Sequence, residues 1–173
     1  MLRALLIGIL LLLPARVSAA TDLILKLDGI EGESNIMGHE KEIDVVSFAW
    51  GVGPNDARRP VICPTELTIN KLFDAASPSL ALAALVKQPI PEGRLVVRKG
   101  GDTPVEYLKI DLRNVIVARY QTGGTESDTA LMESVDLSFT DIKVTYYTQK
   151  PDGSLGDSKS FTYTSTKPCL KNK

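Results

Sequence analysis

The chain has 173 residues, of which 43% are hydrophobic, 24% charged and 6% aromatic, with a formal net charge of −1. That composition fits one soluble globular domain, and the near-neutral balance excludes the strong Lys/Arg excess of a nucleic-acid binder. One histidine and two cysteines cannot supply the four Cys/His ligands of a structural zinc site, so neither a metal nor a cofactor is expected.

The first twenty residues read as a separate module. Arg3 gives a positive start, Ala4 to Leu13 is an uncharged run dominated by Leu and Ile, and Pro14, Ala15 and Arg16 break it. Val17-Ser18-Ala19-Ala20 then offers small residues for a signal peptidase. The run is shorter than the ~20 apolar residues of a spanning helix. Residues 1–19 are therefore expected to be a secretory signal peptide and 20–173 the mature domain. Cleavage after Ala19 is the first choice and after Ala20 the second. The product would be periplasmic or secreted, without stable membrane insertion. Cys63 and Cys169 survive cleavage, and an oxidising compartment permits one bond between them. It would close a loop of roughly a hundred residues, worth about 4–5 kcal/mol if unstrained. Two inert thiols are the alternative reading.

The mature part reads mostly as strands. Leu23, Leu25 and Leu27 recur with a period of two, and Gly29 and Gly32 end that strand. Residues 31–41 are polar and glycine-containing and are expected as an exposed loop. A second strand is expected over Ile43–Gly51, with Val46, Phe48 and Trp50 on one face and Ile43, Val45 and Ala49 on the other. Apolar residues on both faces require cover on both, by core and by a helix or another subunit. Residues 51–60 are a loop by composition, and a third strand is expected over Val61–Leu72. Ser77 is placed to cap a helix through Lys87, with Pro78 at its first position and Pro89 and Pro91 stopping it. Further strands are expected at Arg94–Lys99, Val105–Tyr120, Ser134–Gln149 and Lys159–Thr166. In two of them the apolar residues change phase, from Leu108, Ile110 and Leu112 to Val115 and Val117, and from Val135 and Leu137 to Ile142 and Val144. Such a slip is what a β-bulge produces.

Chemistry is sparse. His39 is the sole histidine, no Gly-x-Ser-x-Gly elbow is present, and Gly156-Asp157-Ser158 reads as a solvated turn. Gly123-Gly124-Thr125 lacks the lysine and spacing of a phosphate loop. Trp50 reads as core or interface. Catalysis is not expected.

Five blocks in order carry a resemblance. They are Leu25-Lys26-Leu27-Asp28-Gly29-Ile30-Glu31-Gly32-Glu33-Ser34; His39 to Val45 with Ser47-Phe48-Ala49-Trp50-Gly51; Thr65 to Lys71 running into Ala76-Ser77-Pro78; Glu106 to Ile110 through Thr122-Gly123-Gly124; and Glu133 to Phe139 through Tyr146, Gln149 and Pro151-Asp152-Gly153. Together they resemble the haemolysin-coregulated protein (Hcp) family, the tube proteins of type VI secretion, over residues 21–166. The resemblance implies a mainly β protein, a β-barrel of two packed antiparallel sheets with one short α-helix at its side. It implies hexameric rings that stack into a hollow tube and move effectors, so the partners would be copies of itself, effector proteins or other secretion components. Loop 31–41 matches the family's protruding loop, which makes Glu33, Ser34, Met37, His39 and Glu40 candidate ring contacts. Val46, Phe48 and Trp50 mark a candidate interface or core strand. Two features depart from the family. Its tube proteins are cytoplasmic before firing and lack a signal peptide; a non-ATG start at Val17 would restore that state. The short loop 51–60 carries Arg58-Arg59 where the family is often glycine-rich. An exported binding module that keeps this fold outside any contractile tube is the competing expectation.

Overall fold

The computed structural model describes residues 20–54, 62–101 and 103–165. The elements run β1 (Thr21–Leu27), β2 (Ile43–Val45), β3 (Ser47–Ala49), β4 (Val52–Pro54), β5 (Ile62–Pro64), β6 (Leu67–Leu72), α1 (Ser77–Val86), β7 (Ile90–Lys99), β8 (Val105–Gly123), β9 (Met132–Ser138), β10 (Asp141–Gln149) and β11 (Leu155–Thr164). All pairings are antiparallel.

The long strand β8 joins two layers. Its first part pairs with β7 and β10, and its last part pairs with β9. The phase change read in the sequence falls where β8 passes between layers. Asn114 adopts a left-handed φ of 50° between buried Leu112 and buried Val115. A second irregularity lies between Val117 and Arg119. Each swaps which face of the strand points inward, as one extra residue must.

The hydrogen-bonded path runs β2-β1-β7-β8-β9-β6-β3, with β10 and β11 as a branch from β8 and β4-β5 as a separate ribbon. Among the described residues no sheet closes on itself, so the expected barrel is in hydrogen-bonding terms an open path. Its two ends, β2 and β3, are separated only by Val46, whose N–H donates to the Asn70 carbonyl of β6 at 2.8 Å.

Several expected boundaries are corrected. The strand expected over Ile43–Gly51 is two short strands in different layers, β2 on β1 and β3 on β6. The chain turns at Val46, so the alternation restarts there, which is why apolar residues occupied both phases. The strand expected over Val61–Leu72 breaks at Thr65-Glu66 into β5 and β6. The run Ser134–Gln149 is not a bulged strand but two strands, β9 and β10, separated by Phe139-Thr140 and pairing in different layers. Gly156-Asp157-Ser158 lies within β11 rather than in a turn.

The core between the layers gathers Leu25, Leu27, Ile43, Leu67, Ile69, Leu95, Ile110, Leu112, Val115, Val117, Val135, Leu137 and Ile142. Helix α1 lies against β8 through Leu80 and Ala83, both buried. Its N-cap is Ala76, without a side-chain cap, not Ser77. Asp74 takes over, its Oδ1 accepting the Ala76 N–H at 2.9 Å. Lys87 closes the other end in the left-handed region that a helix C-cap uses.

Candidate functional site

Loop 31–42 is closed on itself rather than splayed into solvent. The Gly32 N–H donates to the Lys41 carbonyl, the Ser34 N–H to the Glu42 carbonyl, the Lys41 N–H to the Ser34 carbonyl, and the Glu42 N–H to the His39 carbonyl. Gly32 sits where a Cβ would lie 2.5 Å from the Glu42 carbonyl oxygen, so only glycine fits. Gly32 and Ser34 are buried, which corrects the expectation of a wholly exposed loop. Ser34 is part of the loop's frame, its Oγ accepting the Ile36 N–H at 3.3 Å. Met37 forms the tip and is 82% exposed. Glu33 and Glu40 are exposed, and both Glu40 oxygens accept the Gly38 N–H at 3.1 Å. Backbone hydrogen bonds at Glu40 and Gly38 hold the Glu40 carboxyl below its ordinary pKa.

His39 ties this loop to the sheet. Its side chain is 11% exposed, with Nδ1 2.8 Å from Glu42 Oε2 and Nε2 3.1 Å from Glu106 Oε1 on β8. The Lys109 ammonium completes the row at 2.6 Å from Glu106 Oε2. Burial pushes the Glu106 carboxyl up, but Lys109 and His39 outweigh it, and the net pKa is lowered. The imidazole is therefore a brace with both nitrogens occupied by carboxylates.

Of the second set of candidates, Val46 is 56% exposed at the turn between layers. Phe48 and Trp50 are half-buried against the core. The Trp50 ring stacks on Phe161 of β11, centroids 6.0 Å apart. Its indole N–H is buried without an acceptor among the described residues. Cys63 is buried in β5 and is not a free thiol. Cys169, Ala19 and residues 55–60 lie outside the described residues, and Ala20 is exposed.

Sequence reading missed three features. Leu82, Leu85 and Val86 form an exposed apolar face on α1. The signal was there: Leu80 to Val86 is apolar at every position, more than one buried stripe can use. Tyr146, Phe161 and Tyr163 are exposed on the β10-β11 hairpin, whose last strand is an open edge. The third is a buried ionic cluster. Lys71 Nζ donates to the Leu72 carbonyl (2.6 Å), Asp74 Oδ1 (2.7 Å), Ser77 Oγ (3.2 Å) and Glu133 Oε2 (2.8 Å). Ser77 donates to the same Glu133 oxygen, and the Tyr120 hydroxyl donates to the other. Burial and the Glu133 carboxylate push the Tyr120 phenol up to about 12. Lys71 and Glu133 are both fully buried, so the cluster clamps β6, β8, β9 and α1 together. Lys71 shares the inward phase of Leu67 and Ile69, which is the sequence signature it left.

Two surface grooves stand out among the described residues. The larger, about 460 Å³, lies over β1, β7, β8 and β10, where Lys26, Arg94, Asp111 and Lys143 stand side by side in register. The smaller, about 260 Å³, is lined mainly by apolar atoms of Pro64, Ile116, Phe139 and Tyr163. No group of three or more His, Cys, Asp or Glu side chains that could hold a metal occurs among the described residues, and no described helix is long and apolar enough to cross a membrane.

Residues 24–146 fit the family model described as "Type VI secretion system effector, Hcp". Protein hcp1 of Pseudomonas aeruginosa is 33% identical over 143 residues, covering 78% of this chain and 88% of the relative. The crystal structure of Hcp1 from Salmonella typhimurium superposes with a TM-score of 0.72 at 35% identity, covering 84% of this chain and 94% of that one. A type VI secretion system effector from Yersinia pestis gives 0.70 at 31% identity, covering 83% and 99%. The chain belongs to the haemolysin-coregulated protein family of type VI secretion.

Proposed function

We propose that this chain is a structural, non-enzymatic tube subunit, exported by its leader, that assembles into hexameric rings and carries or bears effectors. One observation carries the reading: the family match runs over most of the chain, and the surfaces it leaves unpaired suit a ring. Strand β11 is an open edge with exposed Phe161 and Tyr163. A cyclic head-to-tail contact removes such edges from solvent. The meeting of β2 and β3 at Val46 supports a barrel-like closure of the two layers. The braced loop with Met37 at its tip supports contact with an adjacent ring. Light scattering on the mature protein during size exclusion tests this: a hexamer is expected, and monomer alone at high concentration would reject it.

A second reading keeps the fold but not the tube, as an exported binding module. It is favoured by the leader-like residues 1–20 and by Cys63 not being a free thiol. A monomer in the periplasmic fraction with a processed N-terminus would favour it over the first.

A further inference from the structure

His39 makes two contacts that one charge state alone can satisfy. Its Nδ1 lies 2.8 Å from Glu42 Oε2 and its Nε2 lies 3.1 Å from Glu106 Oε1. An ionised carboxylate only accepts, and a neutral imidazole has a single N–H, whereas imidazolium has one on each nitrogen. Both contacts are hydrogen bonds in the charged ring. In the neutral ring, one bare lone pair faces a carboxylate oxygen.

The same two contacts span the sheet. Strand order places β1 and β7 between β2 and β8. Glu42 immediately precedes β2 and Glu106 lies on β8. The bridge Glu42–His39–Glu106 therefore crosses three strand spacings, roughly 14 Å. It crosses on the face turned away from the core. Leu25 and Leu95, partners in register, belong to the core, so their neighbours Ile24 and Val96, also partners, point the other way. Yet Ile24 and Val96 are 0% and 2% exposed, and the topology places the bridge over them.

The surrounding charges decide which contact yields. Glu106 has a second partner, Lys109 Nζ at 2.6 Å, and the contact to Glu42 is the shorter of the two. Exposed Glu40 is a third carboxylate near the ring. On the same face β2 carries Asp44, β1 carries Asp22 and Lys26, and β7 carries Arg94 and Arg98. Asp22 is paired with Arg98 and Arg94 with Asp111. Among the described residues, the side chains bonded to the imidazole are Glu42 and Glu106. On losing a proton the ring keeps Nδ1–H on Glu42 and turns bare Nε2 toward Glu106.

We propose that His39 is a pH latch: charged, it staples loop 31–42 across β1 and β7 onto β8, and neutral, it releases the loop from β8. The closed form binds one more proton than the open form, so rising pH favours opening. Histidine ordinarily changes charge between about pH 5 and pH 8, so the latch is shut at the acid end of that range and open at the alkaline end. The loop keeps its own backbone bonds in both states, and the released part is a framed tip carrying Met37. Every member belongs to one chain, so the latch operates with or without a ring.

The test is amide exchange and imidazole nitrogen NMR on the mature chain at about pH 5 and about pH 8. The ring should be imidazolium at the lower pH and the Nδ1–H tautomer at the higher. Protection factors, which remove the intrinsic pH dependence of exchange, should fall about tenfold at the Ser34, His39, Lys41 and Glu42 amides between the two. His39→Gln should leave these amides weakly protected at both values. Glu106→Gln accepts from the charged ring and donates to the neutral one, so it should erase the step while the loop stays protected. An imidazole that keeps one charge state across the range overturns the latch. So does a pH step as large in His39→Gln or Glu106→Gln as in the unmodified chain.

Discussion

Replacing Lys71 by Met removes the cation at the centre of the buried cluster while keeping the side chain's length. Glu133 Oε2 then loses its 2.8 Å partner, and Asp74 loses its 2.7 Å partner. Both members of the Lys71–Glu133 pair are 0% exposed, so water cannot take over. Breaking a buried pair this way costs about 3–5 kcal/mol, because one charge is left uncompensated. Glu133 keeps the Ser77 and Tyr120 hydroxyls, which places the expected loss near the lower end, about 3 kcal/mol. In a domain of this size that corresponds to a drop in Tm of about 6–12 °C. The assay is urea unfolding of oxidised mature protein at pH 7, followed by circular dichroism, with wild type and variant matched for oligomeric state. The double variant Lys71→Met/Glu133→Gln removes the stranded charge and should be more stable than the sum of the single effects by at least about 1 kcal/mol. A single-variant loss below about 1 kcal/mol, or strict additivity in the pair, would refute the argument.

Other expectations follow from the same geometry. The Tyr120 phenol is raised to about 12 in the fold against about 10 in the unfolded chain, so the fold favours its neutral form. That contribution is complete below pH 10 and is lost as pH rises from 10 toward 12; Tyr120→Phe should flatten this part of the stability profile, and identical slopes would contradict it. Gly32→Ala must displace the Glu42 carbonyl, which a Cβ would approach to 2.5 Å, and should cost about 1–3 kcal/mol in urea unfolding. His39→Ala should speed amide exchange across residues 34–42 while moving global stability little, since it unties the loop from Glu106 without opening the core. Met37→Asp should leave single rings intact under electron microscopy but stop them stacking.

How much of this was legible in the sequence depends on the element. The inward phase of Leu25 and Leu27 and the face swap in β8 were written as periodicity, because each is a local consequence of which side faces the core, whereas the helix at Ser77–Val86 was written as helix propensity between a start signal at Ser77-Pro78 and a stop at Pro89. Period alone does not separate a bulge from a corner. Both exchange faces after one extra residue, so Phe139-Thr140 read as a bulge, although the chain there leaves one layer for the other. Val46 hid in the same way: a strand read as apolar on both sides is two strands whose inward sides differ. The Lys71–Glu133 cluster was invisible as a pair because its members are 62 positions apart and only the β6-β9 register brings them together. The loop's framework was partly legible. Gly32 and His39 stood out as residue types, but the brace from His39 to Glu106 needed the fold.

The account turns on whether this chain, once matured, closes into a ring. Native mass spectrometry of protein purified with its own N-terminus reads both halves of that claim. The account predicts a subunit beginning at Ala20 or Thr21 and an assembly of six such subunits. A subunit that stays alone across the accessible concentration range would contradict it.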